Sequence, residues 1–159
     1  MSYVDEHEPP CSDNSGAAMS DNNTPEQADM NQPEEKMLSS YDRAMIAART
    51  ADDNRAQDIV ILDLRELTPH FDFFVICSGT SRRQLHAISE EIDHAFEDGL
   101  GDKRLSIEGY DESRWIVLDY GDVMIHIFEP ETRAYYALEE LWGKGERVEF
   151  ESRQRGEAF

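Results

Sequence analysis

The sequence predicts an α/β domain: a mixed five-stranded sheet flanked by helices. Three observations lead there. Five short apolar segments, rich in β-branched and aromatic residues, fall at 58–63, 71–77, 105–108, 115–119 and 123–128. Three longer segments, near 40–53, 85–96 and 130–141, repeat their apolar residues at helical spacing instead. The resulting order, α-β-β-α-β-β-β-α, has a short link between the first two strands, which favours antiparallel pairing. The helix after the second strand permits a parallel crossover.

Each element has its own warrant. The first helix carries Ala44, Met45, Ala48 and Ala51 on one stripe, with Ser39 or Ser40 placed to cap it. Asp58-Ile59-Val60-Ile61-Leu62-Asp63 reads as a buried strand, and Thr68-Pro69-His70 breaks the chain after it. Phe71-Asp72-Phe73-Phe74-Val75-Ile76-Cys77 reads as a second buried strand. In the turn that follows, Ser81 with Gln84 three residues on matches a capping box. The helix behind it sets Leu85, Ile88, Ile92, Ala95 and Phe96 on one face, with Glu90, Glu91, Asp93 and Glu97 on the other, and ends at Gly99 and Gly101. Leu105 to Glu108, Trp115 to Asp119 and Val123 to Phe128 complete the strands, with Tyr120-Gly121 suited to a tight hairpin. Pro130 opens a last helix with Ala134, Leu138 and Leu141 as its stripe.

Charge divides the chain. It has 159 residues, 35 acidic and 15 basic, for a net charge of −20. Residues 1–38 hold nine of the acids, one base, four of the six prolines and a single aromatic, Tyr3. Such a segment buries too little apolar surface to offset its conformational entropy, so it reads as a disordered acidic leader. Residues 39–142 form the expected compact domain, and 143–159 read as a charged C-terminal tail. The acidity argues against tracking of a phosphate backbone, which needs clustered Lys and Arg, and favours basic partners. No apolar run approaches the roughly 18 residues of a membrane span. The N-terminus lacks the features of a signal peptide and is too acidic for a mitochondrial transit peptide. With only Cys11 and Cys77, lying in unlike contexts, reduced thiols in a cytoplasmic protein are expected.

The residues that carry chemistry are sparse. Ser78-Gly79-Thr80-Ser81, at a strand-to-helix turn, has N–H groups that could receive an anion, but helix capping accounts for it and no Walker loop is present. Asp119, Asp122 and His126 are metal-ligand types without convergent spacing, so no metal or cofactor is expected. Cys77 ends an apolar strand and reads as a buried structural thiol. The remaining feature is aromatic and acidic together: Trp115, Leu118, Asp119 and Tyr120, with Tyr135, Tyr136 and Trp142 further on. These residues serve either as core packing or as interface anchors beside an acid that accepts from a basic partner. Alternation puts Trp115, Val117 and Asp119 on one face and Ile116, Leu118 and Tyr120 on the other, so not all of them can be contacts.

At these residues the chain resembles the ribosomal silencing factor S (Iojap-related) family. The likeness runs through Asp58 to Asp63, then Asp72 to Ser81 with Arg83-Gln84, then Glu108-Gly109. It continues through Trp115 to Val123 and Ile125 to Phe128, and closes on Arg133, Tyr136, Leu138-Glu139 and Leu141-Trp142. The resemblance implies a sheet related to the nucleotidyltransferase fold. It also implies binding to the large ribosomal subunit through ribosomal protein L fourteen, which blocks association with the small subunit and represses translation when nutrients are scarce. By the family's pattern Trp115, Leu118, Asp119 and Tyr120 would touch the partner, with Arg133 and Tyr136 beside them. Some members form homodimers. An acidic domain would meet a basic ribosomal protein rather than ribosomal RNA. The competing expectation is a nucleotidyltransferase-like enzyme or nucleotide-binding protein. Such an enzyme needs paired metal-binding carboxylates on one strand face, and no Asp-x-Asp follows the Gly79 turn.

Overall fold

The computed structural model describes residues 38–154, so the expected leader lies outside the described residues apart from its last position. The elements in chain order are α1 (Ser40–Asp53), β1 (Gln57–Asp63), β2 (Phe73–Ser78), α2 (Arg82–Leu100), β3 (Ser106–Glu108), β4 (Trp115–Asp119), β5 (Val123–Phe128), α3 (Pro130–Tyr136), α4 (Leu138–Leu141) and β6 (Glu146–Val148). The sheet order is β3-β4-β5-β2-β1-β6. Among the described residues only β2 and β5 pair in parallel, and the other pairings are antiparallel. The expected α/β architecture with a mixed sheet is therefore present. The predicted crossover after β2 does not end beside it. It passes through α2 to β3 at the sheet edge, and the chain then returns through β4 and β5.

Local chemistry starts and stops these elements. Ser39 caps α1 through a reciprocal box: its Oγ accepts from the Asp42 N–H, and the Asp42 carboxylate accepts from the Ser39 N–H. Ser81 caps α2 by accepting from the Gln84 N–H at 3.2 Å, but Gln84 Oε1 turns to the Thr80 N–H instead of completing a box. Thr80 thus spends its backbone donor on the helix itself, as capping requires. The hairpin from β4 to β5 turns at Gly121-Asp122, one residue later than predicted. The Tyr120 N–H donates to the Val123 carbonyl at 3.1 Å, and Gly121 takes φ +89, as the first position of a II′ turn demands.

The two faces of the sheet are covered unequally. On one face α1 and α2 pack Ala44, Ala47, Ala48, Ala51, Leu85, Ile88, Ile92 and Phe96 onto Ile61, Phe73, Val75, Cys77, Ile116, Leu118, Ile125 and Ile127. Cys77 is fully buried there, which raises its thiol to about 12 and leaves it inert at neutral pH. The second face carries Leu62, Phe74, Ile76 and Phe128 with Val60, Trp115 and Met124, and its cover is thinner: Leu64, Phe71, Leu138 and Trp142.

Two expectations change here. The sheet has six strands rather than five, because residues read as a tail supply β6. Arg147 faces Leu62 and Val148 faces Ile61 on the edge of β1, and Val148 and Phe150 pack against the core. Charged neighbours hid this three-residue strand from any hydrophobic pattern. The last helix is also split. Ala137 adopts φ 42, ψ 51, closing α3 through its N–H to the Arg133 carbonyl and starting α4 in a new direction. The predicted stripe is not a buried stripe: Leu138 is buried, while Ala134 before the break and Leu141 after it are exposed, Leu141 at 76%.

Candidate functional site: the aromatic face

The thinly covered face presents a run of aromatic rings. Trp115, on β4 opposite Phe128 of β5, stacks on that ring at 4.8 Å between centroids and 21° between planes. Its outer side meets Tyr136 of α3 at 4.9 Å, and Tyr136 in turn meets Tyr135 edge-on at 5.0 Å. Inward the run continues from His126 to Phe74 at 4.7 Å and from Phe74 to Trp142 at 5.4 Å. The outer members are open to solvent: Tyr135 is 83% and Tyr136 52% exposed. Trp115 is half-buried. An apolar ring held rigidly at the edge of exposed aromatics has the form of an interface anchor.

Carboxylates surround that anchor. A groove of about 530 Å³ runs beside Trp115, Tyr135 and Tyr136 and is lined by Glu112, Glu129 and Glu131, with Arg114 the one cation in it. Gly109 sits at its back with φ +73, where an added Cβ would lie 2.0 Å from the Trp115 carbonyl oxygen. Only glycine lets the chain pass this close behind the tryptophan.

The structure sorts the six residues expected at the site. Trp115 and Tyr136 are in contact on the open face. Asp119 lies on the same face, half-buried, with one carboxylate oxygen accepting the Gly121 N–H at 2.8 Å and so bracing the hairpin. Leu118 is fully buried and Tyr120 is 5% exposed, both under the helices on the opposite face, so neither side chain lies on the open face. The Tyr120 hydroxyl donates to Asp93, and burial pushes its pKa up to about 12. Arg133 is a clasp within the chain. It donates to Ser78 Oγ at 2.7 Å, to the Asp58 carbonyl at 2.8 Å and to the Glu139 carboxylate. Burial alone would raise the Glu139 carboxyl, but the hydrogen bond and charge of Arg133 outweigh it and hold that group below its ordinary value. Sequence reasoning set aside His126, which lies 5% exposed at the centre of the face. Its β5 parity with Met124 and Phe128 was the available signal.

The metal-ligand types do not converge. Asp119 braces the turn, Asp122 pairs with Arg43 at 2.5 Å, and His126 Nδ1 accepts the Trp115 indole N–H at 3.2 Å. Among the described residues no group of three or more His, Cys, Asp or Glu is placed to hold a metal ion. Nor is any described helix long and apolar enough to cross a membrane.

The family model described as ribosomal silencing factor during starvation matches residues 37–158. The chain is 48% identical over 99 residues to the ribosomal silencing factor RsfS of Bacillus subtilis, covering 62% of this chain and 82% of that one. It is 41% identical over 115 residues to the protein of the same name from Halalkalibacterium halodurans, covering 72% and 97%. It is also 35% identical to the chloroplastic protein Iojap of Zea mays over 67% of this chain and 46% of that one. A crystal structure of a Bacillus halodurans protein superposes with a TM-score of 0.61 at 35% identity, covering 69% of this chain and 99% of that one. A Chromobacterium violaceum protein gives 0.65 at 28% identity, covering 73% and 97%. The match extends across α1 and β6, beyond the segments that carried the resemblance, and the chain belongs to the ribosomal silencing factor family.

Proposed function

We propose that this protein represses translation by docking on the large ribosomal subunit through ribosomal protein L fourteen, so that the small subunit cannot join. The observation that carries the reading is the rigid Trp115–Tyr136 pair at the edge of an open aromatic face, in a chain of this family. Stacked rings lose little conformational freedom on binding and bury large apolar areas, which is what an anchor needs. The glutamates beside them complement a basic ribosomal protein and repel phosphate, so the contact is protein to protein rather than protein to RNA. Steric occlusion requires no catalysis. Asp119 and Asp122, the carboxylates a nucleotidyl-transfer site would need for metal ions, serve Gly121 and Arg43 instead. In this reading the protein acts in the cytoplasm.

Co-sedimentation with purified large subunits tests this. Trp115→Ala removes the anchor and should weaken binding by about 2 kcal/mol or more, as truncated aromatic hot spots do. Asp119→Ala should weaken it less. Binding by both variants at the level of the intact chain would sink the assignment of the site. Absence of binding by the intact chain would sink the function. A calorimetric titration with nucleotide and magnesium checks the enzymatic alternative; saturable binding would revive it.

A further inference from the structure

His126 is an unusual residue for its place. It lies on β5, one of the two central strands that form the sheet's parallel pair, 5% exposed and wedged edge-on against Phe74 at 4.7 Å. Its neighbours on that face are Met124, Phe128, Phe74, Ile76 and Trp115, so an apolar side chain would fit the surroundings. Histidine instead leaves Nε2 buried with no hydrogen-bond partner. A buried, unsatisfied donor costs stability, and leucine in the same space would avoid it. Packing therefore does not explain the residue.

What histidine supplies is Nδ1. Trp115 pairs across the hairpin with Phe128, and His126 is the diagonal neighbour, opposite Val117. From there Nδ1 accepts the Trp115 indole N–H at 3.2 Å. No other hydrogen bond is made by that indole among the described residues. Phe128 stacks on the indole and Tyr136 meets it at a 43° tilt, but ring contacts are weakly directional and let the indole shift along the Phe128 face as its side-chain torsions change. The N–H to Nδ1 bond removes that freedom. We propose that His126 is a positioning residue for partner docking: it fixes the orientation of Trp115, so that the ring is already in its binding pose before the partner arrives. The bond also sets the tautomer, since Nδ1 can accept only when the proton sits on Nε2, the atom left without a partner. The stability conceded at Nε2 is thus coupled to orientation gained at Trp115, and preorganisation of an anchor lowers the entropy lost on binding. This inference rests on the reading that Trp115 meets the partner.

The test uses the full chain, purified large ribosomal subunits and an NMR spectrum of the two indole N–H groups, with Trp115→Phe identifying which resonance belongs to Trp115. His126→Leu and His126→Met keep an apolar filler and delete the acceptor. His126→Asn retains an oxygen near the position of Nδ1. The apolar variants should melt no lower than the parent, move the Trp115 indole resonance upfield, and bind subunits about tenfold more weakly, the scale of one lost hydrogen bond. His126→Asn should return the resonance most of the way and restore binding to within about threefold. If both apolar variants bind as tightly as the parent while Trp115→Ala binds weakly, the positioning role is overturned and the docking reading stands. An unshifted indole resonance in those variants overturns it as well. If Trp115→Ala itself binds like the parent, the docking reading fails and this inference with it.

Discussion

At the scale of single residues, the aromatic face works through what each ring's neighbours leave it free to do. Trp115 has one polar side-chain atom and gives it to His126; Tyr136 and Tyr135 remain exposed beside it. Burial makes this bond insensitive to mild acid. Burial lowers the His126 pKa to about 4, so Nδ1 remains an acceptor at neutral and weakly acidic pH. The stability consequence has a definite sign. The unfolded chain takes up a proton near the ordinary histidine value of about 6.5, whereas the folded chain resists until about 4, so the unfolded state binds more protons between those values. Stability should therefore fall as pH drops through that window, by about 3 kcal/mol from this group. Denaturant melts of the parent and of His126→Leu across pH 7 to 4 check it. The variant should show a flatter dependence, and identical curves would exclude His126 as the source. The carboxyls of Asp63 and Glu139, both held low by arginine partners, lose their contributions only at more acid pH.

At the scale of elements, the segment after Trp142 belongs to the fold. β6 caps the edge of β1, and the chain then runs back to the end of α1. There the Asp52 carboxylate, 3% exposed, accepts from the Arg153 N–H at 2.8 Å, from Gln154 Nε2 and from Ser152 Oγ. A buried carboxylate with three donors from one strap is costly to leave alone. Ending the chain at Trp142 should lower unfolding free energy by roughly 3–5 kcal/mol, from the lost burial of Val148 and Phe150 and the orphaned Asp52. Thermal melts followed by circular dichroism measure this, and an unchanged midpoint would show the strap to be passive. This segment was illegible in the sequence because its three donors to Asp52 are two side chains and a backbone N–H about a hundred positions away. The break at Ala137 was illegible for a different reason: a non-glycine residue in left-handed conformation leaves no composition signal, and Ala134 and Leu138 keep helical spacing across it.

At the scale of the whole molecule, charge sets which partner can approach. Residues 39–159 carry 26 acids against 14 bases, and residues 1–38 add a further −8. Attraction between such a chain and a basic protein is long-range and screened over a Debye length of about 10 Å at 0.1 M salt. The association rate with isolated ribosomal protein L fourteen should accordingly fall severalfold, by roughly one order of magnitude, between low and high salt. Stopped-flow measurement across a salt series tests this, with free ribosomal RNA expected not to compete. A rate indifferent to salt would remove electrostatics from recognition. The isolated protein is the informative partner, because RNA in the intact subunit adds a repulsion that salt also screens.

By itself, the sequence determined the first two helices, the five main strands and the mixed sheet, since these follow from periodicity, capping and β-branched runs that act over a few residues, and it singled out Trp115 as a candidate anchor. Alternation even separated Trp115 and Asp119 from Leu118 and Tyr120. Only the tertiary structure decided which of those two faces is open. That depends on where α1 and α2 pack, and they cover Leu118 and Tyr120. It also decided that Arg133 is consumed by Ser78, Asp58 and Glu139, and that His126 stands within reach of the Trp115 indole. Burial and hydrogen-bond partnership are properties of what comes together across the sheet, and spacing along the chain does not encode them.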